Sequence, residues 1–233
     1  MVEAALFAGI ATAGLIVGYV MYHRMRPAPP IIGNVMALGA GLLISVVAYS
    51  LVQESIEVSD APWRVAIGLA AGAITYYVAN NLIDRKFGGG GNAGIPLAIG
   101  AVLDGVPESL VIGISVALTG EASFPLVIAA FIANIAESVA ATRELEEGGD
   151  TPRSVLLIWA TIAIASVVAA ILGYAVVSDL SPAGGVAVNG FAGGAVLMVL
   201  ANAMIPEGYE LAGRRAGLVL VLGFALGFAL EHL

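Results

Sequence analysis

Eight apolar runs of about twenty residues fill almost the whole chain. A helix needs roughly 20 apolar residues to cross the hydrocarbon core of a bilayer. The runs are about 3–23, 31–53, 62–83, 95–119, 123–142, 153–178, 187–206 and 213–232. Turn and charge signals separate them: Arg24-Met25-Arg26-Pro27, Glu57 to Pro62, Asp84 to Asn92, Gly120-Glu121, Arg143 to Pro152, Asp179 to Gly185, and Gly213-Arg214-Arg215. With 60% hydrophobic and 11% charged residues, the 233-residue chain has more apolar side chain than one soluble core can bury. The expectation is an all-α integral membrane protein, a single polytopic domain over 1–233 with eight transmembrane helices. The first run has no basic leader or cleavage site and reads as a helix. The run Gly88 to Asn92 reads as a flexible linker.

Other classes fall away on simple grounds. Zero Cys removes disulfide frameworks and thiolate chemistry. A net charge of -8 does not suit nucleic acid. No Ser-His or His-Glu-x-x-His arrangement exists, and only one Asp lies within a span, so an intramembrane enzyme is not expected. The partners are the lipid bilayer and ions, with no nucleic acid. Of the nine basic residues, all but Arg64 fall in the connections 1–2, 3–4, 5–6 and 7–8. The positive-inside rule makes those connections cytoplasmic in a multi-pass protein of the cell membrane, with both termini outside.

Three carboxylates lie within the spans: Asp104, Glu108 and Glu137. Asp104 is about nine residues from the basic end of its run, roughly 13 Å deep at 1.5 Å per residue. Each such carboxylate costs about 2.5–3.5 kcal/mol on insertion scales, and three cost on the order of 8–10 kcal/mol. No Lys or Arg sits in the interior of a span to offset them, so a bound cation or bound protons must. Asp104 and Glu108 stand four apart on one helix face, and Asn134 and Glu137 stand three apart on the next. A short turn joins these two spans and makes them antiparallel neighbours. Two carboxylates, an amide oxygen and a third carboxylate then point towards one oxygen-ligand cation site. Pro107 kinks the first of these helices and frees the carbonyl of Leu103. Milder alternatives stand beside this: Glu137 as an inner-interface residue, Asn134 as a helix–helix hydrogen bond, Asp104 and Glu108 as protonated packing groups.

Gln53-Glu54 closes the second span and Pro206-Glu207 the seventh, at opposite ends, which is what an inverted repeat produces. These acids serve as ligands along a pathway or as ordinary interfacial groups. Glu144, Glu146, Glu147 and Asp150 read as a solvated charged loop.

At these residues the chain resembles the ZIP (Zrt/Irt-like) family of divalent metal transporters. That family carries His-Asn-x-Pro-Glu-Gly in its fourth span, where this chain has Asp104-Gly105-Val106-Pro107-Glu108-Ser109. Its fifth carries His- or Gln-x-x-Pro-Glu-Gly, where this chain has Ala133-Asn134-Ile135-Ala136-Glu137-Ser138. The second, seventh and eighth spans resemble the family's through Gly39-Ala40-Gly41 to Gln53-Glu54, Gly193-Gly194 to Pro206-Glu207, and Gly223 to Phe228. The resemblance implies an eight-helix bundle with inverted repeats, no resident cofactor, and zinc, manganese or iron(II) as substrate. It also suggests a homodimer. The departures change the expected site. Asp104 replaces the family's first His, and Ala133 stands where the fifth span has His or Gln. The seventh-span His-Glu pair falls at Ala201-Asn202, and the sixth span has no carboxylate. What remains is Asp104, Glu108, Asn134 and Glu137 around one metal, with Gln53, Glu54, Asn202 and Glu207 along its pathway. A site without imidazole or thiolate is hard and favours manganese, iron(II) or magnesium over zinc. A metal sensor, a non-transporting relative, or a cation or proton channel on the same scaffold are the alternatives.

Overall fold

The computed structural model describes residues 1–58, 61–87, 94–178, 180 and 182–232. Within them, the side chains of 58, 84, 86, 87, 94–101, 103, 104, 119, 182 and 183 lie outside the description. The described residues are helical, with no strand among them. The elements are α1 (Val2–Met25), α2 (Pro29–Val46), a first π-helical segment (Val47–Gln53), α3 (Glu54–Val58), α4 (Pro62–Phe87), α5 (Gly94–Thr119), α6 (Phe124–Glu147), α7 (Pro152–Ser178), α8 (Pro182–Val199), a second π-helical segment (Leu200–Met204), α9 (Ile205–Ala212) and α10 (Arg215–Glu231).

Six stretches are long and apolar enough to cross a membrane: Val2–Met25, Pro29–Glu57, Pro62–Ile83, Phe124–Glu147, Pro152–Ser178 and Gly184–Ala212. Their outward faces carry large apolar side chains, among them Ile67, Ile74, Leu157 and Ile164, and α10 adds Leu218 and Val221. An aqueous protein rarely exposes so much contiguous apolar surface. The chain is therefore a helical protein built for a multi-pass membrane setting. In α5, the apolar stretch within the described side chains is Gly105–Leu118, and α10 has 17 residues.

Local sequence explains the ends. Pro29 and Pro30 open α2, where a missing N–H costs nothing. Ser123 caps α6 by accepting from the Leu126 N–H at 3.4 Å. Gly213 turns the chain from α9 into α10 with φ of 63°, a conformation that a Cβ would strain. Several helices run past the expected limits. The second apolar run continues to 58 and the seventh to 212, both through π-helical turns that side-chain periodicity does not announce. α6 extends to Glu147, so Glu144, Glu146 and Glu147 are helical and not part of a loop. Two of them are engaged: Arg143 Nε donates to Glu147 Oε1 at 2.9 Å, and His23 Nε2 lies 2.9 Å from Glu146 Oε1. The linker expected at Gly88 to Asn92 lies outside the described residues.

The helices pack most extensively as four pairs: α1 with α6, α5 with α7, α2 with α10, and α4 with α8. Glycine makes each of these approaches possible. Gly18 faces the Ile135 carbonyl, Gly113 the Ala170 carbonyl, Gly223 the Leu38 carbonyl and Gly72 the Phe191 carbonyl. The pairs assemble into two sets of four rods. One holds α1, α5, α6 and α7, and the other holds α2–α3, α4, α8–α9 and α10. The sets meet chiefly where α2 lies on α6 and α8 lies on α5.

The packing pattern maps onto itself when the rods are exchanged. Swapping α1 with α7, α2–α3 with α8–α9, α4 with α10, and α5 with α6 turns each main pair into another. The exchange holds in residue detail. Adding 153 to positions 29, 47 and 54, where α2, its π segment and α3 begin, gives 182, 200 and 207; α8 and its π segment begin at the first two, and Glu207 matches Glu54. Adding 151 takes Gly72, against Phe191, to Gly223, against Leu38.

Two glycine substitutions test how the rods are held. Gly113→Ala puts a methyl into the Ala170 backbone and is expected to destabilise by about 1–3 kcal/mol. Gly9→Ala, with nothing within 4 Å, is expected to be neutral or to stabilise by about 0.5–1 kcal/mol. Thermal unfolding of both in detergent gives the comparison.

Candidate functional site

Glu108 and Glu137 both sit near the middle of their helices. α5 runs from 94 to 119 and α6 from 124 to 147, so each acid has ten or more residues on either side. Glu137 stands five residues before Thr142, the expected end of the fifth apolar run, and α6 continues beyond it through Arg143 to Glu147. Glu108 is 5% exposed and Glu137 is half-buried. Pro107 lies inside α5, which is helical from Gly94 to Thr119. The side chain of Asp104 lies outside the described residues; its backbone belongs to α5.

α5 and α6 touch, as a short connection requires, but neither is the other's main neighbour. α5 lies along α7 and α6 along α1, and each also meets the other set, α5 on α8 and α6 on α2. Backbones converge there. A side chain at Gly39 of α2 would meet Ala133 Cα of α6 at 3.1 Å and Met204 Cε of the second π segment at 3.3 Å. The residue after Ala133 is Asn134, so α2, α6 and a π segment share this level. π-helical turns recur at functional sites because they release backbone groups from the α ladder.

Asn134 is 4% exposed, and its Nδ2 donates to the Ala11 carbonyl of α1 at 3.2 Å. One turn on, Ser138 Oγ donates to the Leu15 carbonyl at 2.6 Å. Trp159 Nε1 of α7 donates to Thr142 Oγ1 at 2.9 Å. These bonds tie α1 and α7 to the helix that carries Glu137. Asn134 therefore acts as a helix–helix tether, and a ligand role falls to its Oδ1 alone.

The residues assigned to a pathway spread over both ends. Gln53 ends the first π segment, and its Nε2 donates to Glu57 Oε1 at 3.0 Å. Glu54 opens α3 and is exposed. Asn202 lies within the second π segment and is exposed; Glu207 is in the first turn of α9. Neither histidine belongs to the site: His23 faces Glu146, and His232 Nδ1 lies 2.8 Å from the Phe228 carbonyl.

A cavity of about 360 Å³ opens at the end of the bundle that holds Glu54. Ser50, Glu54, Ser55, Ser115, Ser123, Ser178 and Asn189 supply its polar wall. Ser115 and Glu108 are seven apart on α5 and so share a face, two turns from cavity to carboxylate. Sequence reasoning missed this cavity apart from Glu54. Its polar groups come from five separate helix ends, with no spacing to betray them.

No protein-family model matches the chain, and no curated protein matches it either.

The Asn134 tether gives a direct check. Asn134→Ala is expected to lower stability in detergent by about 0.6–1.7 kcal/mol, from the mean to the largest value measured for interhelical hydrogen bonds in a membrane protein. Thermal unfolding of the purified variant beside the wild type reads the loss.

Proposed function

We propose that the protein carries a divalent metal cation across the membrane through a ZIP-like site centred on Glu108 and Glu137, with Asp104 and the Asn134 oxygen completing it. The observation that carries this reading is the placement of the two acids. Both lie mid-helix on adjoining helices, and Glu108 is almost fully buried. A buried carboxylate in an apolar bundle needs a compensating charge. A divalent cation shared among the acids would offset their charge, and oxygen ligands suit it. With three carboxylates on one divalent ion, about one net negative charge remains, which a co-bound proton balances.

The symmetry of the packing supports a carrier over a fixed channel. Two halves related by exchange of rods are what an inverted repeat produces, and such repeats place substrate sites at their interface. The candidate acids sit on α5 and α6, one of the four pairs that the exchange swaps. Relative movement of the two four-rod sets would open the site first to one side and then to the other. The eight rods would then be eight spans, with the connections that carry Arg24, Arg26, Arg143, Arg153, Arg214 and Arg215 in the cytoplasm. The all-oxygen ligand set favours manganese, iron(II) or magnesium over zinc. No bond is made or broken, and the protein is not an enzyme.

Uptake into proteoliposomes tests this, with manganese, iron(II), zinc, cobalt and magnesium each supplied alone. Saturable uptake of at least one metal is expected, falling tenfold or more in Glu108→Gln and in Glu137→Gln. Uptake that survives both substitutions would move the pathway elsewhere. Uptake that rises linearly with metal concentration would point to a channel.

A further inference from the structure

The exchange of rods relates the two ends of the bundle residue by residue, and their chemistry differs. Gly18 faces the Ile135 carbonyl as Gly173 faces the Leu110 carbonyl, so α1 maps onto α7 by adding 155 and α6 onto α5 by subtracting 25. The same shifts take Leu15, whose carbonyl accepts from Ser138, to Ala170, whose carbonyl faces Gly113. With 153 between α2–α3 and α8–α9, residues that line the cavity beside Glu54 find counterparts at the other end. Ser115 corresponds to Ala140, Asn189 to Met36, Val177 to Tyr22, Ser55 to Gly208 and Val186 to Gly33.

At the counterpart positions there is packing in place of space. Met36, Val139 and Ala140 are buried in one apolar cluster with Ile32, and Tyr22 and Leu211 pack against it. The backbones close there as well. A Cβ on Gly33 would stand 2.7 Å from the Gly208 carbonyl oxygen and 2.7 Å from Leu211 Cβ. At the cavity end, side chains stand where these glycines are bare: Ser55 Oγ accepts from Asn189 Nδ2 at 3.2 Å, and Val186 lines the wall. The cluster joins both four-rod sets, since Met36 and Leu211 belong to one and Tyr22, Val139 and Ala140 to the other. It lies at the end that carries Arg24, Arg26, Arg143 and Arg214. It also reaches the candidate site. Glu137 follows Ala136 of the cluster and stands three residues before Ala140, on one helix face. A serine-walled cavity of about 360 Å³ has room for several waters at ~30 Å³ each, while an apolar constriction sheds them. Water can therefore approach the mid-helix acids from the Glu54 end and is barred at the arginine end.

We propose that the apolar cluster centred on Met36 is a gate at the arginine-bearing end, shut in this structure while the Glu54 end stands open, and that the difference in polarity between exchanged residues sets this resting state. Ser115 and Asn189 keep one end wet; Ala140 and Met36 keep the other dry. Opening the dry end requires α2 and α9 to part from α1 and α6 across the cluster. The gate's purpose rests on the cation-carrier reading, but whether it is shut can be measured without any metal.

The chain has no Cys, so a single introduced cysteine is the only thiol that can react. Ser115→Cys and Ala140→Cys place it at exchanged positions, and a charged methanethiosulfonate reagent reads water access in the purified full chain. Ser115→Cys is expected to react roughly tenfold or more faster than Ala140→Cys, whose labelling must wait for local opening. Adding Met36→Asn, which copies the residue of the open end, should raise the Ala140→Cys rate roughly tenfold and leave the Ser115→Cys rate unchanged. Val139→Thr, close to valine in shape but with a hydroxyl, should act in the same direction and covers the case in which Met36→Asn does not fold. Met36→Leu should keep the cysteine protected. Equal reactivity of the two cysteines overturns the proposal. So does protection of Ala140→Cys that persists through both polar substitutions, or that is lost in Met36→Leu. The two readings fail separately. The labelling contrast in a protein that takes up no metal leaves the apolar seal standing and removes the carrier. Glu108-dependent uptake with both cysteines equally reactive does the reverse.

Discussion

Helices in lipid gain little from hiding apolar side chains from one another, because the surrounding acyl chains are just as apolar. Close contact between backbones has to provide the attraction. Here Gly18, Gly72, Gly113 and Gly223 each bring a helix onto a carbonyl of its partner, one in each of the four main pairs. Most of the architecture follows from these approaches. They fix which rods pair, the pairs fix the two four-rod sets, and the sets fix where a boundary between them can lie. Side-chain hydrogen bonds strengthen the same partition. Asn134 to Ala11, Ser138 to Leu15 and Trp159 to Thr142 stay inside one set, and Asn189 to Ser55 and Ser50 to Glu231 stay inside the other. The contact between Ser50 and Ser123, which crosses from one set to the other, is long at 3.4 Å.

Polar groups in this bundle therefore fall into two kinds. Some join helices within a set, through backbone carbonyls, hydroxyls or, for Ser50, the Glu231 carboxylate. Others, such as Glu54, Ser115 and Ser178, line the cavity to which both sets contribute. Water and ions can reach a boundary, while the interior of a glycine-packed pair has no room for either.

The sequence made the number of rods and their approximate limits legible, because a membrane-length apolar run is a strong signal and Pro, Gly and Arg punctuate it. It also made Glu108 and Glu137 conspicuous, since a carboxylate among Leu, Val and Ala has few neutral explanations. Three things could not be read. The π segments leave no mark in a run that is apolar on all sides, so the ends of the second and seventh rods came out short. The length of α6 was underestimated because Arg143 to Glu147 looked like a loop. Those charges are helical and are matched by one another and by His23, and their inclusion moves Glu137 to mid-helix. The main partner of each helix could not be read either. A short connection makes α5 and α6 touch, but the glycines that decide the extensive contacts are spread over the chain and select α7 and α1 instead.

The two π segments occupy equivalent places in the two halves, each between a long helix and a short one that begins with an acid in its first turn. An α-helix turns about 100° per residue. A wider turn therefore acts as a phase shifter: it sets the angle at which Glu54 and Glu207 leave the rod without altering how α2 and α8 meet their partners. Aim and anchorage are thereby uncoupled along a single rod. Gain or loss of one residue there would re-aim either acid over generations, while the glycine seams upstream kept their register.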